Sequence, residues 1–317
     1  MEFFGKKPRV GIDLGSSSIN IAGLGKKGQK FNLEFSEIVN LTEEYALDSF
    51  LEVTDYHYVE QLHKLDSKYN LKNARLSFSL PTDSAVVTVV NIKPSLTESE
   101  LYDEIRPALR QATSEDLDEM QIVCHELQGD SKNGLVPLLV CAIANDVIAR
   151  YKRIIRKSGL KAAVLDLEVL GVYNAFYYFS DGLKCGPTVL VSIGFQHSTC
   201  IILRPGKCPF FYLIKLGSDI AKQAGNKTKS TSKISDAQAS SRQSAHSSFS
   251  KNLLAEVKKC IRHIQSHEGI SEFEQIYLTG TGAQSDSLCN FFEENLQVKT
   301  KSSEYLTPAI GTALRGD

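Results

Sequence analysis

The chain has 317 residues, 42% apolar and 23% charged, the balance of a soluble globular protein of two or three domains rather than a disordered, collagen-like or coiled-coil chain. Lys plus Arg total 36 against 37 for Asp plus Glu, so the net charge of -1 supplies no global basic field, and no nucleic-acid partner is expected. Seven dispersed cysteines with no Cys-x-x-Cys pair argue against a disulfide framework or a cysteine-rich zinc module, and read as reduced, buried apolar residues.

The N-terminal stretch MEFFGKKPRV lacks the charged start and apolar middle of a secretory signal, so the chain is expected in the cytoplasm. Residues 9–24 carry two short β-branched runs joined by a small polar turn at 15–18, a hairpin pattern. Strand character resumes over 30–39, helical periodicity runs from 53 to 69, and 74–80 alternates until Pro81 stops it. Three strands, a helix and a strand make one α/β layer.

A second unit opens with the β-branched run 85–92. Thr97 and Glu100 then stand at capping-box spacing ahead of Leu101, Ile105 and Leu109, with Pro107 expected to kink or end that helix. Strands over 120–126 and 135–144 precede a helix over 146–157, so the whole reads as a compact inserted βαββα subdomain. The run 136–144 is the longest apolar stretch; it is broken by Pro137 and reaches about half the roughly 20 residues of a membrane span.

From 162 the chain returns to a strand, then Asp166-Leu-Glu168 and a helix through Phe179. A new strand pair over 189–203 repeats the form of the first hairpin, so the sequence holds two copies of one device. Residues 222–251 differ from their surroundings, with six basic residues, one acid, many serines and only Ile234 and Phe249 as large apolar groups, and are expected to form a mobile basic loop. A helix over 253–267, a strand over 275–278, the turn Thr279-Gly-Thr-Gly-Ala-Gln284 and another helix follow, and a short small-residue helix closes the chain.

A hairpin turn of type Asp-x-Gly-Ser-Ser-Ser offers backbone N–H groups and hydroxyls to a phosphate, because glycine permits close approach and small side chains leave the amides exposed. Two such turns, joined by a third Gly-x-Gly turn at a strand-to-helix junction, are far more specific than one. Val10-Gly-Ile-Asp-Leu-Gly-Ser-Ser-Ser18, Leu190-Val-Ser-Ile-Gly194 with Ser198-Thr199, Ile276-Tyr-Leu-Thr-Gly-Thr-Gly-Ala283 and Ala309-Ile-Gly-Thr-Ala-Leu-Arg315 resemble, in order, the phosphate-1, phosphate-2, adenosine and connect-2 segments of the actin-like ATPases. Leu80-Pro-Thr-Asp-Ser-Ala-Val-Val87, Leu96-Thr-Glu-Ser-Glu-Leu-Tyr-Asp-Glu-Ile105, Lys157-Ser-Gly-Leu160 and Val164-Leu-Asp-Leu-Glu168 narrow the resemblance to the PilM family of type IV pilus assembly proteins, related to FtsA.

The resemblance implies an actin-like α/β fold of two ribonuclease-H-like lobes: 1–83 with 158–187 as lobe 1 (1A), 84–157 as an FtsA/PilM-type 1C subdomain, 188–305 as lobe 2, and 306–317 as a C-terminal helix returning to lobe 1. It implies ATP with Mg2+ between the lobes, held by Gly15, Ser16, Ser17, Ser18, Asn20, Ser192, Gly194, Ser198, Thr199, Gly280 and Gly282. Asp13 is the metal candidate, and Asp13, Asp166 and Glu168 are the catalytic acids near the attacking water. It implies a PilN-like inner-membrane protein as partner, its cytoplasmic N-terminal tail seated in a groove by Val86, Val87, Val89 and Ile92. Other pilus platform proteins, peripheral inner-membrane association through those partners, and a homodimer complete the picture.

Three positions depart from the family pattern. Ser192 stands where phosphate-2 normally has a metal-holding aspartate, Asn20 where phosphate-1 usually ends in a phosphate-reaching lysine, and the 222–251 stretch replaces an expected Ala-Glu-x-x-Lys clamp helix. Nucleotide is therefore expected to bind weakly, and a scaffold-like adaptor is favoured over an active ATPase driving assembly or a filament-forming cytoskeletal protein. Sugar and acetate kinases fit worse, because the chain is short and lacks that aspartate. Cys260, His263 and His267 fall at i, i+3 and i+7 on one helix, but the apolar face of that helix outweighs a metal reading. His197, in the second turn, is a further anion candidate weighed against simple exposure.

Overall fold

The structure is a computed structural model describing residues 7–41, 51–127, 134–180, 186–218, 236–268, 270, 272–280, 283, 286–304 and 307–315. It divides into two units, Met1–Gly182 with Tyr305–Asp317, and Leu183–Glu304.

In the first unit, β1 (Arg9–Leu14), β2 (Ser18–Lys27), β3 (Lys30–Asn40), β4 (Arg75–Leu80) and β8 (Ala162–Leu167) form a five-stranded sheet in the order β3-β2-β1-β4-β8. β1, β2 and β3 pair antiparallel, while β4 and β8 run parallel to β1. As the central strand, β1 is buried from Val10 to Leu14, which is why its sequence is nearly continuous in apolar residues. Helix α1 (Leu51–Tyr69) packs against α3 (Asn145–Lys157), while α4 (Glu168–Phe179) packs against α7 (Pro308–Leu314), which crosses β1, β2 and β4. Glycine permits that crossing. A Cβ on Gly11 would stand 1.9 Å from the Ala309 carbonyl oxygen, and one on Gly311 would stand 1.6 Å from that of Gly171.

A three-stranded antiparallel sheet, β5 (Ala85–Ile92), β6 (Met120–Glu126) and β7 (Val136–Ala144), is inserted in the same unit in the order β5-β7-β6. Helix α2 (Glu98–Ala112) covers one face, burying Ile105 and Leu109 against Val86, Ile92, Leu117, Met120, Leu138, Val140 and Ala142. The Thr97–Glu100 capping box forms. Of the two outcomes expected at Pro107, a kink or an end, the end does not occur: α2 runs through Pro107 to Ala112. Proline removes one i→i−4 bond, and burial of Ile105 and Leu109, one on each side of it, outweighs the loss.

The second unit repeats the topology of the first sheet. β9 (Thr188–Ile193), β10 (Ser198–Leu203), β11 (Phe210–Ile214), β12 (Gln275–Thr279) and β13 (Lys299–Ser302) lie in the order β11-β10-β9-β12-β13. Helices α5 (Asp236–Glu268) and α6 (Asp286–Leu296) supply Leu253, Val257, Ile261, Ile264, Leu288 and Phe292 to a core with Val189, Val191 and Ile193. The expectation of a loop over 222–251 is corrected from Asp236 onward, where the chain is helical. Phe249 is buried in this core and anchors the helix about one turn earlier than the apolar periodicity suggested. The remainder of that stretch, 222–235, lies outside the described residues.

Candidate functional site

The phosphate-1 turn is built by register. Asn20, Asp13, Ser79 and Asp166 are successive partners across β2, β1, β4 and β8, so they form one polar row on the sheet face that α7 crosses. Asp13, Ser79 and Asp166 are all buried. A buried carboxylate needs compensation, and each finds part of it within the chain. The Asn20 side-chain amide donates to Asp13 Oδ2 at 3.0 Å. The Leu167 N–H donates to Asp166 Oδ1 at 2.9 Å, and Arg315 Nε stands 3.1 Å from Oδ2. Burial holds the Asp166 carboxyl above its ordinary range, and the Arg315 guanidinium and the Leu167 N–H pull it back. Ser79 shares a 3.0 Å hydroxyl hydrogen bond with Thr312 of α7. Glu168 opens α4, and its Oε2 accepts from the Thr82 N–H at 3.4 Å.

Two tyrosines pin the turn from behind. Tyr58 of α1 donates to the Gly15 carbonyl at 3.0 Å, and Tyr151 of α3 donates to that of Leu14 at 3.3 Å. Burial pushes the Tyr58 phenol up to about 12, opposed by Arg150 and aided by Asp13 and Asp55. The Tyr151 phenol, fully enclosed, lies well above 10 for the same chief reason. Both therefore remain donors throughout the physiological range. Asp55, itself buried, ties α1 to α3 through Arg150 and Arg153, each at 2.7 Å. Ser17 accepts from the Leu41 N–H at 2.9 Å, closing the turn's outer side.

In the second unit the equivalent row carries no charge. Thr199, Ser192 and Thr279 are partners across β10, β9 and β12, all buried. Thr279 donates to the Ser303 carbonyl at 2.9 Å, while Thr199 Oγ1 is buried with no hydrogen-bond partner. The Gly194 N–H donates to the His197 carbonyl at 3.0 Å, closing the phosphate-2 turn, and Ser198 donates to the Leu216 carbonyl at 2.7 Å. Gly280 sits at φ +91°, where a Cβ would meet the Ile193 carbonyl oxygen at 2.5 Å, so the adenosine turn comes close to the end of β9 only as glycine. Gly282 lies outside the described residues.

Sequence reasoning thus assigned Asp13, Asn20 and Asp166 to one site, and the first unit brings them together in one row. It missed Arg315, Tyr58, Tyr151, Ser79 and Thr312, whose roles depend on tertiary register that no local pattern carries.

The donor set does not fit a tightly held magnesium ion. Mg2+ demands near-ideal octahedral oxygen ligands, usually one or two carboxylates with substrate phosphates and water. Here Asp13 is held by Asn20 and Asp166 by Arg315. Among the described residues no three His, Cys, Asp or Glu side chains converge as a metal set. The Asn20 Oδ1 is buried without a hydrogen-bond partner, and no cationic side chain stands at position 20 to meet a phosphate. On α5, Cys260 is buried and His263 exposed, so they do not act as a pair.

The four expected groove residues do not share a face. Val86 and Ile92 point into the core under α2. Val87 and Val89 alternate to the opposite face, opposite Cys141 and Leu139 of β7. β5 pairs only with β7 among the described residues, so its other edge carries no ladder partner among them.

A family model described as type IV pilus assembly protein PilM matches residues 11–307. Among solved structures, the chain is similar to one titled as a PilM-PilN type IV pilus biogenesis complex, with TM-score 0.77, 14% identity and 96% of each chain covered. It is also similar to a Bacteroides thetaiotaomicron protein with an actin-like ATPase fold, at TM-score 0.55 and 10% identity, covering 99% of this chain and 98% of that one. The ethanolamine utilization protein EutJ from Carboxydothermus hydrogenoformans matches at TM-score 0.51 and 13% identity, covering 98% of this chain and 90% of that one. Comparison with curated proteins finds no match. The fold is the actin-like ATPase fold.

Proposed function

We propose, from the premise that the chain belongs to the PilM family of type IV pilus assembly proteins, that it serves as a cytoplasmic adaptor. In this reading it holds the cytoplasmic tail of a PilN-like inner-membrane protein and contributes to the pilus platform. No described helix is long and apolar enough to cross a membrane, so contact with the bilayer would come through that partner. The single observation that carries the adaptor reading is the edge of β5 that has no ladder partner among the described residues, with Val87 and Val89 beside it. An extended tail segment adds to such an edge by backbone hydrogen bonds, and the side chains on the adjoining face give selectivity. The 84–157 unit is then the partner-binding subdomain, and the structure titled as a PilM-PilN complex is a similar fold with such a partner.

The nucleotide site is read as weak. Asp13 and Asp166 are already compensated in part inside the chain, and a nucleotide that recruited them would first have to displace Asn20 and Arg315. The missing phosphate-2 aspartate and phosphate-1 lysine remove local charge that would neutralise metal and phosphate.

Two measurements test this. A synthetic peptide copying the tail of the single-span partner should bind the full chain, and Val87→Asp or Val89→Asp should abolish binding while thermal unfolding stays unchanged. Val86→Asp, in the core under α2, should instead unfold the subdomain. Undiminished peptide binding by the Val87 and Val89 variants defeats the edge assignment. Titration with ATP and magnesium giving sub-micromolar affinity or steady turnover defeats the weak-site reading.

A further inference from the structure

The helices of the first unit divide their charge unevenly. α2 carries Glu98, Glu100, Asp103 and Glu104 against Arg106 and Arg110, whereas α3 carries Arg150, Lys152, Arg153, Arg156 and Lys157 against Asp146 alone. In a chain whose net charge is -1, so basic a helix is a local property and not a by-product of composition. Burial of Tyr151, Ile154 and Ile155 fixes which side of α3 faces inward. Arg150 and Arg153 turn to α1, where each stands 2.7 Å from the Asp55 carboxylate. Lys152, Arg156 and Lys157 remain on the outer side, exposed, and none of them forms an ion pair among the described residues.

Cations in the last turn of a helix commonly serve its orphan carbonyls. Here the backbone does that work. With Gly159 at φ +68°, its N–H donates to the Arg156 carbonyl at 3.0 Å and the Leu160 N–H donates to that of Ile155 at 3.1 Å. The Ser158 hydroxyl donates to the Ile154 carbonyl at 2.9 Å. The Lys157-Ser-Gly-Leu160 motif is therefore a glycine cap, and the charges of Arg156 and Lys157 are not needed for it. The same turn buries Ser158 and Leu160 and exposes Lys157 and Lys161, so a fourth cation stands at the entry to β8. Lys72 lies along Gly159 with its charge already met by Asp66 at 2.9 Å.

We infer that the outer side of α3, with Lys152, Arg156, Lys157 and the neighbouring Lys161, rests on an anionic lipid surface. Cations spread over a convex helix and the turn after it suit a plane of phosphates rather than one ligand in a cavity. The one aromatic residue of α3, Tyr151, is buried, so no ring is offered for a base to stack on, and the chain lacks the overall basic field of a duplex binder. The inference rests on the adaptor reading for the nearness of a bilayer. β7, the strand that pairs with β5, leads directly into α3, so the tail edge and the basic face lie on neighbouring elements. The tethered partner brings the chain to the bilayer, and the basic face fixes the side that meets it. Each cation near such a surface multiplies partitioning about fivefold.

The test sediments the full chain at low salt with excess phosphatidylglycerol vesicles and, separately, with phosphatidylcholine vesicles. Binding to the first and not the second is expected, and it should weaken as salt is raised. Lys152→Gln combined with Lys157→Gln should lower partitioning about twenty-five-fold, a factor of about five for each charge removed. Lys26→Gln combined with Lys30→Gln removes the same charge from the β2–β3 hairpin and should change partitioning little. All four lysines are exposed, so both double variants should fold, and their melting temperatures check this. Val87→Asp, the variant that tests the tail edge, should leave vesicle binding intact, so a failed lipid face and a failed tail edge are told apart. Three results overturn the inference: no binding to phosphatidylglycerol vesicles, equal loss in the two double variants, or tighter binding to a DNA duplex at the same phosphate concentration.

Discussion

Replacing Arg315 by methionine keeps the aliphatic stem and removes the charge beside Asp166. Asp166 is 6% exposed and retains only the Leu167 N–H on Oδ1, so its Oδ2 becomes a buried acceptor without a cation. Leaving such a group unpaired costs about 1–3 kcal/mol. Because the Arg315 side chain is 52% exposed, solvent already screens part of the pair, and the lower half of that range, about 1–2 kcal/mol, is expected. For a unit of this size that is about 2–6 °C in melting temperature. The pH dependence separates this from lost packing. Asp166 is a carboxyl whose folded-state pKa is raised above the ordinary 3.8 by burial; the folded state binds its proton more tightly than the unfolded state, so its ionisation weakens stability as pH rises through that window. Removing Arg315 raises the folded pKa further. The deficit should therefore be full near neutral pH and shrink as pH falls through the raised folded-state pKa of Asp166, where the carboxyl takes up its proton. Arg315→Lys should recover most of the loss. Urea or thermal unfolding across pH 4–8 measures it, and a deficit of equal size at both ends would refute the ion-pair account.

Tyr151→Phe removes the hydroxyl that α3 places on the Leu14 carbonyl and should cost about 1 kcal/mol; amide exchange at the phosphate-1 turn should quicken while exchange in the second unit is unchanged. Gly311→Ala drives a methyl into the Gly171 carbonyl at a nominal 1.6 Å, so separation of α4 from α7 should cost about 3 kcal/mol or more, read as lost soluble expression or a lower melting temperature. Ser192→Asp should lower the melting temperature in the absence of ligand by burying an uncompensated carboxylate, and ATP with magnesium should then restore more stability than in the parent chain. Equal shifts by ATP with magnesium in both would show that position 192 is not near a metal.

The architecture was legible where it rests on local chemistry. Strand runs, Pro81, the Thr97–Glu100 box and the two small polar turns each act through neighbours in sequence, and the structure has elements at all of them. Two elements that run past a local signal share a cause. At Pro107, where a kink or an end was expected and the helix does not end, and at 236–251, where a polar composition argued against helix, burial of a few apolar residues, Ile105, Leu109 and Phe249, carried the helix on. The groove residues were misassigned by face, since a strand's period of two sends Val86 and Val87 opposite ways and the run of valines hides which way is inward. Arg315 was quoted as part of a motif without a role, because its partner lies 149 positions earlier, a separation that only the 3.1 Å contact reveals.

The repeated topology makes the weak-site reading more than an inventory of missing residues. Both sheets have the same strand order, and each places a polar row at the end of its central strand, so the difference between the rows is chemical rather than architectural. In the first unit two buried carboxylates survive, at a desolvation cost that Asn20 and Arg315 offset in part from within the chain. In the second unit Ser192, Thr199 and Thr279 carry no such cost. A divalent ion that stabilised those carboxylates would have to outcompete donors that are already in place, at full effective concentration and with no ordering penalty left to meet. On the proposed adaptor reading, a frame so arranged would be stable without ligand. Its stability is then available for holding a partner rather than being conditional on nucleotide, which is the physical requirement of an adaptor that must stay folded between encounters with its cargo.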